Sequence, residues 1–183
     1  MPLRRIGFAV VAILAAASAG TAPFAQDAPA PSAAPPKPPA CMAPEHRQFD
    51  FWLGDWEVRD AGGKKLGQNR IASLHKGCVL FESYRAGEFS GSSLNVYDAD
   101  SRKWHQTWMD SGGGLLVIEG AFADGRMVLS GQTADPGRPG SIVDNRITWQ
   151  PLADGRVRQL WETSTDRGAT WKTTFDGYYA KQN

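Results

Sequence analysis

The chain has 183 residues, 20 Lys and Arg against 19 Asp and Glu, and a net charge of +1. That balance leaves no basic stripe, which argues against nucleic acid or an anionic membrane surface as a partner. Its two cysteines and three histidines show no chelating spacing and no Cys-His nucleophile pattern, so no metal site is expected.

The N-terminus reads as an export signal. Arg4 and Arg5 precede an apolar run, Ile6 to Ala17, of secretory h-region length and too short to span a bilayer. Cleavage sites of small residues follow at Ala17-Ser18-Ala19 and at Ala25-Gln26, the second favoured. Residues 1–25 are therefore expected to be a signal peptide, and the protein to be periplasmic or secreted with no stable membrane insertion after cleavage. Residues 26–44 are rich in Pro and Ala, which suits an extended linker and neither sheet nor helix. Residues 45–183 have the size of one domain. Export to an oxidising compartment predicts a Cys41–Cys78 disulfide; the alternative is two unpaired thiols with Cys78 buried.

From Asp55 onward the chain alternates short runs of β-branched and aromatic residues with turn residues. Phe49 to Leu53 predicts a helical turn that plugs one end of the fold, with Trp56 pointing inward from the first strand. Breaks are expected at Ala61-Gly62-Gly63, Gly77, Gly87 to Gly91, Asp98 to Lys103 and Gly112-Gly113-Gly114. Asp124-Gly125 and Asp154-Gly155 are the clearest tight-turn dipeptides, and Ala134 to Ser141 is the longest loop. About ten strands with short connections imply antiparallel neighbours. Closing such a meander removes its exposed edges, so an all-β, up-and-down antiparallel barrel is expected, with a two-sheet sandwich as the alternative.

The hairpin on either side of Ala99 to Arg102 carries the strongest site signal. Its register would place Tyr97 opposite Trp104, Asn95 opposite Gln106 and Ser93 opposite Trp108. Rings and amides on one face suit a ligand cavity. An outward face, or a filled core whose amides satisfy one another, is the alternative, because a slip of one residue exchanges the faces. Glu82, Asp110, Glu119 and Glu162 recur on strands, and a bulged turn at Ala153 to Gly155 would set Arg146 opposite Glu162. That pair either braces the barrel or supplies the polar end of a cavity.

Ser164-Thr165-Asp166-Arg167-Gly168-Ala169-Thr170-Trp171 resembles the Asp-box of sialidase-type propellers. The motif occurs once in a chain too short for several blades, so it implies a hairpin device and no sialidase-like activity.

The segments FDFWLGDWEV, GCVLFESY, GSSLNVYDADSRKWHQTWMDSGG, RITW and VRQLWETSTDRGATWKTTFDGYY resemble the DUF1579 family of exported bacterial proteins of unknown function, and cover most of the chain after residue 45. That resemblance implies no activity. More distantly, Gly54-Asp55-Trp56 resembles the Gly-x-Trp start of lipocalins and other calycins, including nitrobindin-like haem barrels. Calycins enclose small apolar ligands, so the resemblance implies a binder. Nitrobindin-like barrels hold haem through a histidine on a late strand; Val157 to Trp161 and Thr170 to Tyr179 contain none, so haem is not expected, nor any other cofactor.

The resulting expectation is a lipocalin-like binder of a small, partly apolar ligand. Asn95, Trp104, Gln106 and Trp108 would line its cavity, with Glu82, Glu162 and Arg146 at the polar end. The rivals are an enzyme using Glu82, Asp110 or Glu162 as acid or base, and an envelope interaction module with a filled barrel.

Overall fold

The computed structural model describes residues 40–182. The expected signal peptide and most of the linker lie outside the described residues. Two 3-10 turns, Pro44–Arg47 and Asp50–Trp52, lead into ten strands. These are β1 (Gly54–Arg59), β2 (Lys65–Leu74), β3 (Val79–Ala86), β4 (Phe89–Asp98) and β5 (Lys103–Asp110), then β6 (Leu115–Ala123), β7 (Arg126–Ala134), β8 (Ile142–Pro151), β9 (Val157–Ser164) and β10 (Lys172–Lys181). Each strand pairs with its sequence neighbours, and β1 closes on β10 with Trp56 opposite Lys181 and Val58 opposite Tyr179. Closure leaves no sheet edge, which settles the choice between barrel and sandwich.

Alternation sets the two faces of the wall. On β8, Asn145, Ile147 and Trp149 are buried inside, while Arg146, Thr148 and Gln150 point outward. Turn chemistry fixes the register. Asp124 and Gly125 both have positive φ, +52° and +74°, and join Ala123 to Arg126 in a two-residue turn. Asp154-Gly155 instead sits in a longer, bulged connection. Leu152 and Arg156 still exchange a backbone bond, Gly155 takes φ +83°, and Arg146 consequently faces Glu162. The Gly87-to-Gly91 break is shorter than expected, since β4 already starts at Phe89.

In an up-and-down barrel, connections after even-numbered strands gather at one end and those after odd-numbered strands at the other. The first end is sealed. Phe49 stacks on Trp52 with ring centroids 5.0 Å apart, and meets Trp104 and Trp149 edge-on at 5.6 and 5.2 Å. Trp56 Nε1 donates to the Trp52 carbonyl at 2.8 Å, tying the plug to β1. The plug's lead-in is fastened separately. Cys41 and Cys78 form a disulfide across 37 residues, and Arg47 Nη2 donates to the Gly77 carbonyl beside it. A covalent closure of that length stabilises by roughly 2–4 kcal/mol in the chain-entropy picture. The bonded Cys41 ties the residues just before the first 3-10 turn to the start of β3.

The Asp-box closes the β9–β10 hairpin at the opposite end. Asp166 accepts from the Ser164 hydroxyl at 2.7 Å, the Thr170 amide at 2.8 Å and the Thr170 hydroxyl at 2.6 Å. These bonds, the Thr170 hydroxyl first, hold its carboxyl down to about 2. Asp166→Ala should speed hydrogen exchange at the Thr170 and Gly168 amides several-fold while leaving amides of β6 and β7 unchanged. Uniform acceleration across the barrel would show that the box is a global staple instead.

Candidate functional site

Above the plug the barrel interior becomes polar, then hollow. Glu82 on β3 is almost fully buried and points inward between Asn69 on β2 and Ser93 on β4. Asn69 Nδ2 donates to Glu82 Oε1 at 2.7 Å, and the Ser93 hydroxyl donates to Oε2 at 2.6 Å. Asn95 Nδ2 donates in turn to Ser93 Oγ at 2.9 Å, and Gln106 Nε2 to Asn95 Oδ1 at 2.8 Å. Burial pushes the Glu82 carboxyl up to about 7 against the pull of its two hydrogen bonds.

A cavity of about 210 Å³ stands over this floor and opens at the unplugged end. Glu82, Gln106, Gln159 and Tyr179 give it a polar base, with Leu116 and Ile147 in its wall. Tyr84, Phe89, Trp108, Trp161 and Phe175 ring the mouth. Two ring bonds orient the indoles: Trp108 Nε1 donates to Asp110 Oδ2 and Trp161 Nε1 to Asn145 Oδ1, both at 3.0 Å. Trp108 lies flat against β4 because Gly91 has no side chain; a Cβ there would sit 2.1 Å from the indole. Gly91→Ala should therefore cost about 1–3 kcal/mol and displace Trp108 toward the mouth. A shifted, quenched or broadened indole emission checks the displacement, and an unchanged spectrum with unchanged stability would refute it.

The sequence-derived residues fall into three groups. Glu82, Gln106 and Trp108 line the cavity. Asn95 and Trp104 face inward with them, at the expected register, but lie deeper. Asn95 belongs to the network under the floor, and Trp104 packs on Phe49 and donates to Gln48 Oε1 at 3.2 Å. Arg146 and Glu162 must be corrected: they are opposite each other as expected, but on the outer wall. Because Ile147 and Trp161 face inward, alternation sends their neighbours outward. Arg146 binds Glu162 Oε2 through Nε at 3.1 Å and Nη2 at 2.9 Å, and its guanidinium lies 4.0 Å from the Trp171 ring. The pair thus braces β8, β9 and the Asp-box hairpin, and supplies no polar end to the lumen. It borders an outer depression of about 390 Å³ that also holds Arg126 and Arg158, but no aromatic enclosure.

Asn69, Tyr84, Gln159, Trp161, Phe175 and Tyr179 complete the lumen beyond the residues singled out from sequence. Trp161 was legible in principle, since alternation from an inward Val157 reaches Gln159 and then Trp161. Phe175 follows in the same way from an inward Tyr179 through Gly177, whereas Thr174 does not, because the β9–β10 register shifts between Thr173 and Phe175.

Two carboxylates border the cavity, but they do not form an acid–base pair. Asp110 sits at the rim, two strands from Glu82. It accepts from Trp108 and from the Gly112 and Gly114 amides at 2.9 and 3.0 Å, which hold its carboxyl low. Among the described residues, no group of three or more His, Cys, Asp or Glu side chains could hold a metal ion. His105 is outward, between Asp98 and Glu119. No helix among the described residues is long and apolar enough to cross a membrane. No protein-family model matches the chain, and no curated protein does either.

Proposed function

We propose that this protein takes a small, partly apolar molecule into the open half of its barrel. The observation that carries the reading is the division of the lumen. One end is packed solid with aromatic rings; the other holds a cavity of about 210 Å³ with an aromatic mouth and a buried polar floor. An apolar enclosure with a few fixed polar groups is how small-molecule sites are built. A dry cavity of roughly 150 Å³ accepts benzene, so this one suits a ligand of about one ring with a short substituent. The calycin-like resemblance agrees with this use of a barrel. The disulfide is consistent with an oxidising, exported setting, which the apolar run Ile6 to Ala17 also suggests.

The two rival readings have less support. Catalysis by paired carboxylates lacks a free second carboxylate beside Glu82. An interaction module with a filled barrel and an exposed aromatic patch fits poorly, since the open end holds a cavity and the exposed large apolar side chains of β4 to β6 include one aromatic ring, Phe89, beside Leu94, Met109, Leu115 and Val117.

Thr174 borders the mouth at the β10 irregularity. Thr174→Trp is expected to block uptake while leaving thermal stability within a few degrees of the parent. Against a panel of single-ring compounds at 100 times Kd, a bound ligand should add nearly 3 kcal/mol of apparent stability to the parent and none to the blocked variant. No thermal shift across the panel, together with repeated ligand-free native mass spectra from the host, would sink the reading.

A further inference from the structure

The lumen is chemically one-sided. Around Glu82, every side-chain donor is already committed to a protein acceptor. Asn69 Nδ2 and the Ser93 hydroxyl point at the carboxylate, and Gln106 Nε2 points at Asn95. Ser93 Oγ itself receives the Asn95 amide, so its proton has no other use than Glu82. Trp108 and Trp161 direct their N–H groups away to Asp110 and Asn145, and the Tyr179 hydroxyl donates to Gln159 Oε1. Of the remaining lining donors, the Tyr84 hydroxyl points to the Leu66 carbonyl at 3.5 Å and the Thr174 hydroxyl pairs with that of Thr163 at 3.1 Å, so the Gln159 amide nitrogen is the one left over among the described lining groups.

Acceptors, in contrast, are in surplus. Asn69 is almost completely buried, and its Oδ1 has no hydrogen-bond partner among the described residues. Each Glu82 oxygen accepts one bond and keeps a second lone pair. The charged residues lining the cavity are Glu82 and Asp110, with no Lys, Arg or His among them. A buried carboxylate is normally paired with a cation. Glu82 has no such partner among the described residues, and both its bonded neighbours donate as though it were ionised.

We propose that the lumen is selective for organic cations, specifically a primary ammonium group on a short aromatic or aliphatic body. The ammonium would sit on Glu82 and donate a hydrogen bond to Asn69 Oδ1, supplying the charge and the donors that the floor lacks. The body would lie between the rings at the mouth, where Trp108 and Trp161 also present π-faces that favour a cation during uptake. This proposal rests on the lumen-binding reading and names the ligand class for it.

The two claims separate in one titration series with three single-ring compounds that differ in headgroup: phenethylamine, phenethyl alcohol and hydrocinnamate. Calorimetry on the full chain at pH 8 should rank the amine above the alcohol by about tenfold or more, with hydrocinnamate weakest, as expected for a charge-assisted bond replacing a neutral one. In Glu82→Gln the amine and alcohol should fall within about twofold of each other, since the charge-assisted bond is gone. The ranking on the parent chain stands even if that variant folds poorly. Equal binding of amine and alcohol, or tighter binding of hydrocinnamate, would overturn the cation proposal and leave a lumen binder. Binding of none of the three would remove both claims.

Discussion

Trp52→Ala is expected to cost about 3–5 kcal/mol, the range for deleting a fully buried large aromatic side chain. Trp52 is inaccessible to solvent, stacks on Phe49, and touches Trp149 and Tyr179 with ring centroids 5.4 and 6.3 Å away. Removing it leaves a void bounded by three other rings, none of which can move in without abandoning its own contacts. The loss is a large share of the 5–15 kcal/mol typical of a single domain. Trp52→Phe is the informative control. The Trp52 indole N–H is buried without an acceptor among the described residues, so a phenyl ring removes an unsatisfied donor while keeping most of the packing. That variant should cost at most about 1.5 kcal/mol. Urea titrations followed by far-ultraviolet dichroism check both, with the slope held constant as evidence that the two-state frame is shared. A loss below about 1 kcal/mol for Trp52→Ala would mean that the 3-10 plug is an accessory and that the barrel closes without it.

The plug and the hollow are two halves of one design, and they were unequally legible. The closed barrel followed from local signals alone: strand-length runs, dipeptides tolerant of positive φ, and connections too short for crossovers. The hairpin register at Asn95 and Gln106 was readable because a four-residue loop fixes it. Depth along the barrel axis was not. Trp104 and Trp108 share a face and lie two inward steps apart, with Gln106 between them, yet the first is cemented into the plug and the second borders the cavity. Only the height at which Phe49 inserts decides between them, and that height comes from the three-dimensional path of residues 49–53.

Arg146 and Glu162 show a different limit. Their mutual register was correct, but the face was a separate question. In a closed barrel the face of β8 is settled by which neighbours pack on the plug, and Trp149 does so through Phe49 and Trp52. Once Trp149 points in, Arg146, three positions before it, points out. The Glu82 network was hidden for a related reason. It joins β2, β3, β4 and β5, and no local pattern reveals that Asn69, Ser93, Asn95 and Gln106 meet at one level.

Glu82 should impose an unusual pH dependence on stability. Its folded carboxyl titrates near 7 rather than at 4.5, because burial outweighs the Ser93 and Asn69 hydrogen bonds. The native state therefore binds more protons than the unfolded state between those two values, and stability falls as pH rises through them. The contribution is complete below about pH 4.5 and lost by about pH 8, a difference of roughly 3 kcal/mol at 1.36 kcal/mol per unit. Tyr84 and Tyr179 are both raised above 10, by burial first and by the Glu82 charge second, and stay neutral throughout this window. The exposed carboxylates with lowered values, such as Glu57 and Glu119, act in the opposite sense and at lower pH, where their ion pairs are lost. Glu82→Gln cannot ionise, so subtracting its stability curve from the parent's isolates the Glu82 term. The difference should change by about 3 kcal/mol from pH 5 to pH 8, with the variant gaining relative stability on the alkaline side. A flat difference would mean that the parent's carboxyl is ionised throughout, and that water or a neighbouring group already supplies what the floor is said to lack. The same slope carries a functional consequence. An ammonium ligand seated on Glu82 repays the burial of the ionised carboxylate, so adding phenethylamine at saturating concentration should flatten the parent's curve above pH 7, while in Glu82→Gln it should leave the slope with pH unaltered.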